Sequence, residues 1–119
     1  MTDRIPAAGD IYLANLDPTK GSEQSGIRPV LIISSSLMHQ RSQRVIVCPI
    51  TSNMQVWTTK VALPAGLKTS GMVLTDQIRT VDKTERLLRY IETAPADFVT
   101  IVRSYVGRLL ELDVPPHAQ

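Results

Sequence analysis

Apolar and polar positions alternate through "DIYLANL", with Ile11 and Leu13 set against Tyr12, Ala14 and Leu16, which predicts a β-strand. The next stretch, "DPTKGSEQSG", is polar and turn-rich: Asp17-Pro18 starts a turn, and Gly21 and Gly26 permit positive φ. Pro29 then opens the apolar run "PVLIISS", as a first-residue or edge proline does in a strand. "RVIVCPI" reads as a buried strand, and "KVAL" and "GMVLTDQIRTV" as two more, separated by a turn at Pro64 and Gly66. "DKTERLLRYI" fits either a helical turn followed by a strand or one short helix.

From Thr93 the period changes. Thr93 is a candidate cap and Pro95 suits a first turn, and Phe98, Ile101, Val102, Tyr105, Val106, Leu109 and Leu110 recur at three- and four-residue spacing. An amphipathic helix with this stripe against the core is expected, ending before Pro115 and Pro116. Short strands followed by one long helix predict an α+β fold, a small twisted SH3-like β-barrel closed by the C-terminal helix.

Composition narrows the class. The chain has 119 residues, 43% hydrophobic and 20% charged, which suits one globular domain over 1–119 with its core at about 9–112 and short tails. Cys48 is the only cysteine, so no intrachain disulfide forms, and its place in "VIVCPI" makes it a small core residue. No apolar run approaches the ~20 residues of a membrane span and "MTDRIPAAGD" has no signal-peptide core, so a cytoplasmic protein is expected. Net charge is only +2, yet no acid lies between Glu23 and Asp76 while Arg28, Arg41, Arg44, Lys60 and Lys68 do. That tract either faces a polyanion or is neutralised on folding, for example by Asp82 or Glu85.

Familiar catalytic and metal motifs are missing: there is no HExxH, no CxxC pair, no GxGxxG, no P-loop and no GxSxG. No cluster of His, Cys, Asp and Glu has ligand spacing, so no metal and no cofactor is expected. His39, in "SSSLMHQRSQ", reads as an exposed loop or short helix residue, and His117 lies in the terminal tail. Neither forms a histidine acid/base pair.

What remains are polar residues where strands meet loops. Glu23, Gln24 and Arg28 bracket the first long loop, Thr51 and Ser52 follow "CPI", and Asp76, Gln77 and Arg79 lie in "LTDQIRT". In one curled sheet these junctions can converge at a single mouth. A guanidinium fork matches phosphate and a threonine hydroxyl can complete a phosphate cage, so such a site suits phosphoryl chemistry. Trp57, the only tryptophan, sits in a polar segment as either a base-stacking platform or a partner contact.

Three blocks, "GDIYLANLDPTKGSEQSGIRPVLIIS", "VIVCPIT" and "GMVLTDQIRTVDK", resemble the MazF/PemK/Kid toxins of bacterial toxin–antitoxin modules, in family order from Gly9 to Leu112. The resemblance implies a CcdB/MazF-type β-barrel with a C-terminal helix, a homodimer, a cognate antitoxin, and a metal-independent endoribonuclease that cuts single-stranded RNA at short motifs. It also implies that Arg28 and Thr51 are the chief catalytic positions, with Glu23 as the loop glutamate. Gln24, Ser52, Asp76, Gln77 and Arg79 become the candidates for RNA contact. The segments Gln40 to Gln43 and "TSNMQVWTTK" are less family-typical, which leaves the cleavage motif open.

The chemistry expected of such a site is attack of the RNA 2′-OH on the adjacent phosphate, giving a 2′,3′-cyclic phosphate and a 5′-OH. Arg28 would neutralise the pentacoordinate phosphorus, and Thr51 would be a second donor. An arginine with pKa above ~12 is a poor proton acceptor, so Glu23 is an alternative base. Two other classes remain: a CcdB-like gyrase-poisoning toxin, which would not need Arg28 or Thr51, and an inactive RNA- or antitoxin-binding homologue.

Overall fold

A computed structural model of the chain describes residues 4–18 and 21–112; His117 and the end of the tail lie outside them. Its elements are β1 (Asp10–Asn15), β2 (Ile27–Ile32), α1 (Ser36–Arg41), β3 (Arg44–Thr51), β4 (Lys60–Ala62), β5 (Met72–Leu74), a 3-10 turn (Thr75–Gln77), β6 (Arg79–Asp82), α2 (Lys83–Arg86), β7 (Leu87–Thr93) and α3 (Ala96–Leu109). The strands run β4-β5-β3-β2-β1-β7, with β6 also paired to β3, and every ladder is antiparallel. No ladder among the described residues joins β7 back to β4 or β6. The sheet is therefore curled but open, with α3 on one face.

β3 organises this arrangement. One edge pairs with β2 through Val30↔Pro49 and Ile32↔Val47, while the other pairs first with β6 at Val47↔Arg79 and then with β5 at Ile50↔Val73. The predicted strand "GMVLTDQIRTV" is thus two strands broken by the 3-10 turn. The ambiguous "DKTERLLRYI" resolves as a helical turn followed by a strand, because the Asp82 carboxylate accepts the N–H groups of Thr84 and Glu85 and caps α2. β2 begins at Ile27, ahead of Pro29. Pro29 sits opposite Leu13 but lies beyond the last rung to β3, so its missing N–H costs no ladder bond on that side.

Alternation along the strands sends side chains to two apolar layers. Ile11, Leu31, Cys48, Ile50 and Val73 pack beneath α3, while Tyr12, Ala14, Val30, Ile32, Val45, Val47 and Val81 fill the inside of the curl. α3 buries Phe98, Val99, Val102 and Val106, each contributing about 1.5–3 kcal/mol of gross burial energy. The buried stripe is narrower than expected: Ile101, Leu109 and Leu110 are exposed, and Val99 faces the core instead.

Two local expectations fail for identifiable reasons. Thr93 does not cap α3, which starts after Pro95 without a side-chain cap; its Oγ1 instead donates to Asp10 at 2.8 Å and meets the Tyr90 hydroxyl at 2.8 Å. His39 is fully buried rather than exposed. Its Nδ1 faces the Pro6 carbonyl oxygen and its Nε2 the Ser34 hydroxyl, which in turn accepts the Ile46 N–H, so the imidazole stitches α1 to β3.

Candidate active site

The loop between β1 and β2 is fixed at its base by the Leu16 N–H donating to the Gly26 carbonyl at 2.9 Å and the Gly26 N–H donating to Asp17 Oδ1 at 2.9 Å. Its middle is fixed by the Gln24 N–H, which donates to Gln77 Oε1 at 2.7 Å across 53 residues of sequence. Arg79 adds a longer contact, its Nη1 donating to the Leu16 carbonyl at 3.4 Å. A segment that reads as polar and turn-rich is thus held against the 3-10 turn and β6.

Arg28 leaves the end of this loop on β2. Its Nε donates to the Ser25 carbonyl at 2.9 Å, which orients the guanidinium and leaves its two terminal amino groups for a ligand. Among the described residues the one salt bridge is Arg4–Asp10, so no cation of the acid-free tract makes an ion pair there, although the Lys68 charge lies near enough to Glu92 to lower its pKa. Asp82 does stand opposite Arg44 in the β3–β6 register, but it is engaged in capping α2.

The β2–β3 ladder ends at Val30↔Pro49; continued by two residues, the register sets Arg28 opposite Thr51. Here the strands part around a cleft of about 260 Å³ lined by Leu13, Ile27, Arg28, Ile50, Ser52 and Ser70. Leu13, Ile27, Ile50 and Ser52 share strand parity with the layer beneath α3, whereas Arg28 and Thr51 share the opposite parity, that of Val30 and Val47, so Arg28 borders the cleft from the other side of its strand.

The predicted residues separate by environment. Arg28 and Ser52 line the cleft directly. Thr51 is buried, and its Oγ1 accepts the Asn53 N–H at 3.1 Å, which leaves its own O–H as a donor and shapes the turn carrying Ser52. Gln24, Gln77 and Arg79 anchor the loop, while Glu23 and Asp76 are exposed and make no hydrogen bond among the described residues. Burial, with a smaller contribution from the Asp76 charge, pushes the Cys48 thiol up to about 12, as its packing role requires. Ser70 reaches the cleft from the turn before Gly71, a contribution no sequence signal marks.

No group of three or more His, Cys, Asp or Glu among the described residues could hold a metal ion. No helix among them is long and apolar enough to cross a membrane. Trp57 is exposed on the β3–β4 segment together with Met54 and Val56.

Residues 7–110 match the family described as PemK-like, MazF-like toxin of type II toxin–antitoxin system. The chain belongs to that family. Among its relatives, Endoribonuclease PemK of Escherichia coli is 38% identical over 105 residues, covering 85% of this chain and 77% of the relative. The crystal structure of MazF from Deinococcus radiodurans superposes with a TM-score of 0.86 at 37% identity, covering 92% of this chain and 99% of that one. A MazE–MazF crystal structure from the same organism gives 0.78 at 33% identity, over 91% and 97%. The toxin therefore shares the curled sheet and C-terminal helix of these proteins over nearly all of its described length.

Proposed function

We propose that this toxin is an endoribonuclease acting in the cytoplasm on single-stranded RNA without a metal, neutralised by a cognate antitoxin. The observation that carries the reading is Arg28: an arginine with no acidic partner among the described residues, held by a backbone carbonyl at the mouth of a cleft, in a chain whose relatives are named endoribonucleases.

The 2′-oxygen attacks the adjacent phosphorus, a new O–P bond forms, and the bond from phosphorus to the 5′-oxygen breaks. Glu23, on the loop that also presents Ser25, receives the 2′-OH proton, and the departing 5′-oxygen is protonated by water. The amino groups of Arg28 bear on the non-bridging oxygens, where charge builds in the transition state; a preorganised donor of this kind is worth about 3 kcal/mol. The Thr51 hydroxyl donates a hydrogen bond to the same oxygens or holds the turn from which Ser52 does so. Ser52 and Asp76 contact the RNA at the surrounding rim, and Gln24, Gln77 and Arg79 support it through the loop they anchor.

Ile27 is 60% exposed beside Arg28, an aliphatic surface that a second copy would cover, and the active form in this reading is a homodimer with its sites at the interface. Digestion of a long mixed-sequence RNA in excess EDTA, with mapping of fragment ends, tests the function. Cleavage leaving 2′,3′-cyclic phosphate and 5′-OH ends is expected; activity lost to EDTA and restored by magnesium would overturn it.

A further inference from the structure

Of the cations in the acid-free tract, Lys60 is put to a use that charge alone does not predict. It opens β4, which is held to the sheet through Lys60↔Leu74, Val61↔Val73 and Ala62↔Met72. The residue before it is fixed as well. The Thr59 carbonyl accepts the backbone N–H of Thr75 at 3.3 Å and its hydroxyl at 2.5 Å, and Thr75 is fully buried. The Lys60 side chain therefore starts from a rigid base.

The chain between β3 and β4 lacks that support. Asn53 to Trp57 belong to no helix or strand and are exposed, so their carbonyls have no ladder to enter. Lys60 Nζ turns back across this stretch and donates to the Gln55 carbonyl at 3.0 Å and, at longer range, to the Asn53 carbonyl at 3.4 Å. The ammonium is thus engaged by neutral backbone oxygens, and it makes no ion pair among the described residues. On the other side of Asn53, its N–H donates to Thr51 Oγ1 at 3.1 Å. That bond occupies an acceptor site of the hydroxyl and so limits where the Thr51 O–H can point.

We propose that Lys60 is a positioning residue for Thr51: its ammonium grips Asn53 by the carbonyl, and the Asn53 N–H in turn fixes the Thr51 hydroxyl for the phosphate. The role rests on the endoribonuclease reading. It differs from direct neutralisation of RNA, in which Lys60 would contribute to substrate binding and to its salt dependence. Without the ammonium, Asn53 loses its tie to β4, and the Thr51 hydroxyl is aimed less firmly.

Lys60→Met keeps much of the side chain's length and removes its donors. Steady-state cleavage of a fixed single-stranded RNA is measured over a salt series, with amide exchange followed by NMR and a melt on the same sample; Lys60→Ala repeats the comparison if the methionine variant does not fold. In folded Lys60→Met, kcat should fall about fivefold with KM and its salt dependence unchanged, a partial loss beside the ~10² of a removed donor. The Asn53 amide should exchange about tenfold faster, approaching its rate in Thr51→Val, where the acceptor is gone. Lys60→Arg, which keeps donors, should slow that exchange again. A raised KM with kcat unchanged, and a salt slope smaller by about 0.7, would make Lys60 a phosphate contact and overturn the role. Unchanged Asn53 exchange in a folded variant overturns it equally. A parent protein that cuts no RNA overturns the endoribonuclease reading and this role with it, whereas a cutting parent with full kcat in Lys60→Met overturns this role alone.

Discussion

The Nε of Arg28 donates to the carbonyl oxygen of Ser25 three residues earlier, at 2.9 Å, so the guanidinium is oriented by its own loop and not by an acid. A carboxylate partner would hold the side chain as firmly but cancel the charge that a phosphate needs. The loop must then be rigid, which makes its anchors part of the site.

The anchor with the longest reach is the Gln24 N–H to Gln77 Oε1 bond. Gln77→Leu leaves a half-buried N–H unsatisfied, at a cost of about 1–3 kcal/mol, and should lower kcat/KM for a fixed RNA about tenfold. Gln77→Glu keeps an acceptor and should retain most activity. If Gln77 served through its amide N–H groups on RNA, the glutamate variant would fail as badly as the leucine.

Gly71 holds β5 against β3 beside Thr51. Its φ is +132°, and a Cβ there would stand 2.4 Å from the Thr51 carbonyl oxygen, a contact with backbone that no rotamer can relieve. Gly71→Ala should cost about 3 kcal/mol or more. A thermal melt should show Tm lowered by on the order of 10–20 °C.

Glu92 clamps the β4–β5 turn, its carboxylate accepting the N–H groups of Lys68 at 2.9 Å and Thr69 at 2.7 Å. Burial pushes this carboxyl up, but those hydrogen bonds and the Lys68 charge outweigh it and hold the group below its ordinary value of 4.5. The stabilisation is complete above that value and is lost as pH falls through the lowered one. Glu92→Gln should therefore melt slightly below the parent at neutral pH, with the gap closing in melts taken progressively below pH 4.5.

The strands were legible because alternation survives in β1 and unbroken apolar runs mark β2 and β3, which are buried on both faces. The path of β5 into β6 was not, since the break at Thr75–Gln77 is set by where β3 exchanges one neighbour for another. Thr93 looked like a cap because local sequence cannot show that Asp10 and Tyr90 compete for its hydroxyl. His39 looked exposed among polar neighbours, and its burial depends on Pro6 arriving from elsewhere in the chain and on α1 turning the ring back onto Ser34, five residues before it. At the site, the charge of Arg28 after a glycine-bounded loop was visible, whereas the anchoring of that loop by Gln77 and the Ser70 wall of the cleft are products of the tertiary fold.

The most direct test of Arg28 is cleavage of single-stranded RNA by Arg28→Ala, with circular dichroism and a melt on the same sample. Because the side chain touches one carbonyl and no acid, the variant should keep its fold and Tm within about 1 kcal/mol of stability while cleavage falls by a factor on the order of 10² or more. Arg28→Lys should not restore it, a point charge being no substitute for the fork. A folded Arg28→Ala protein that cuts RNA at the parental rate would contradict the assignment.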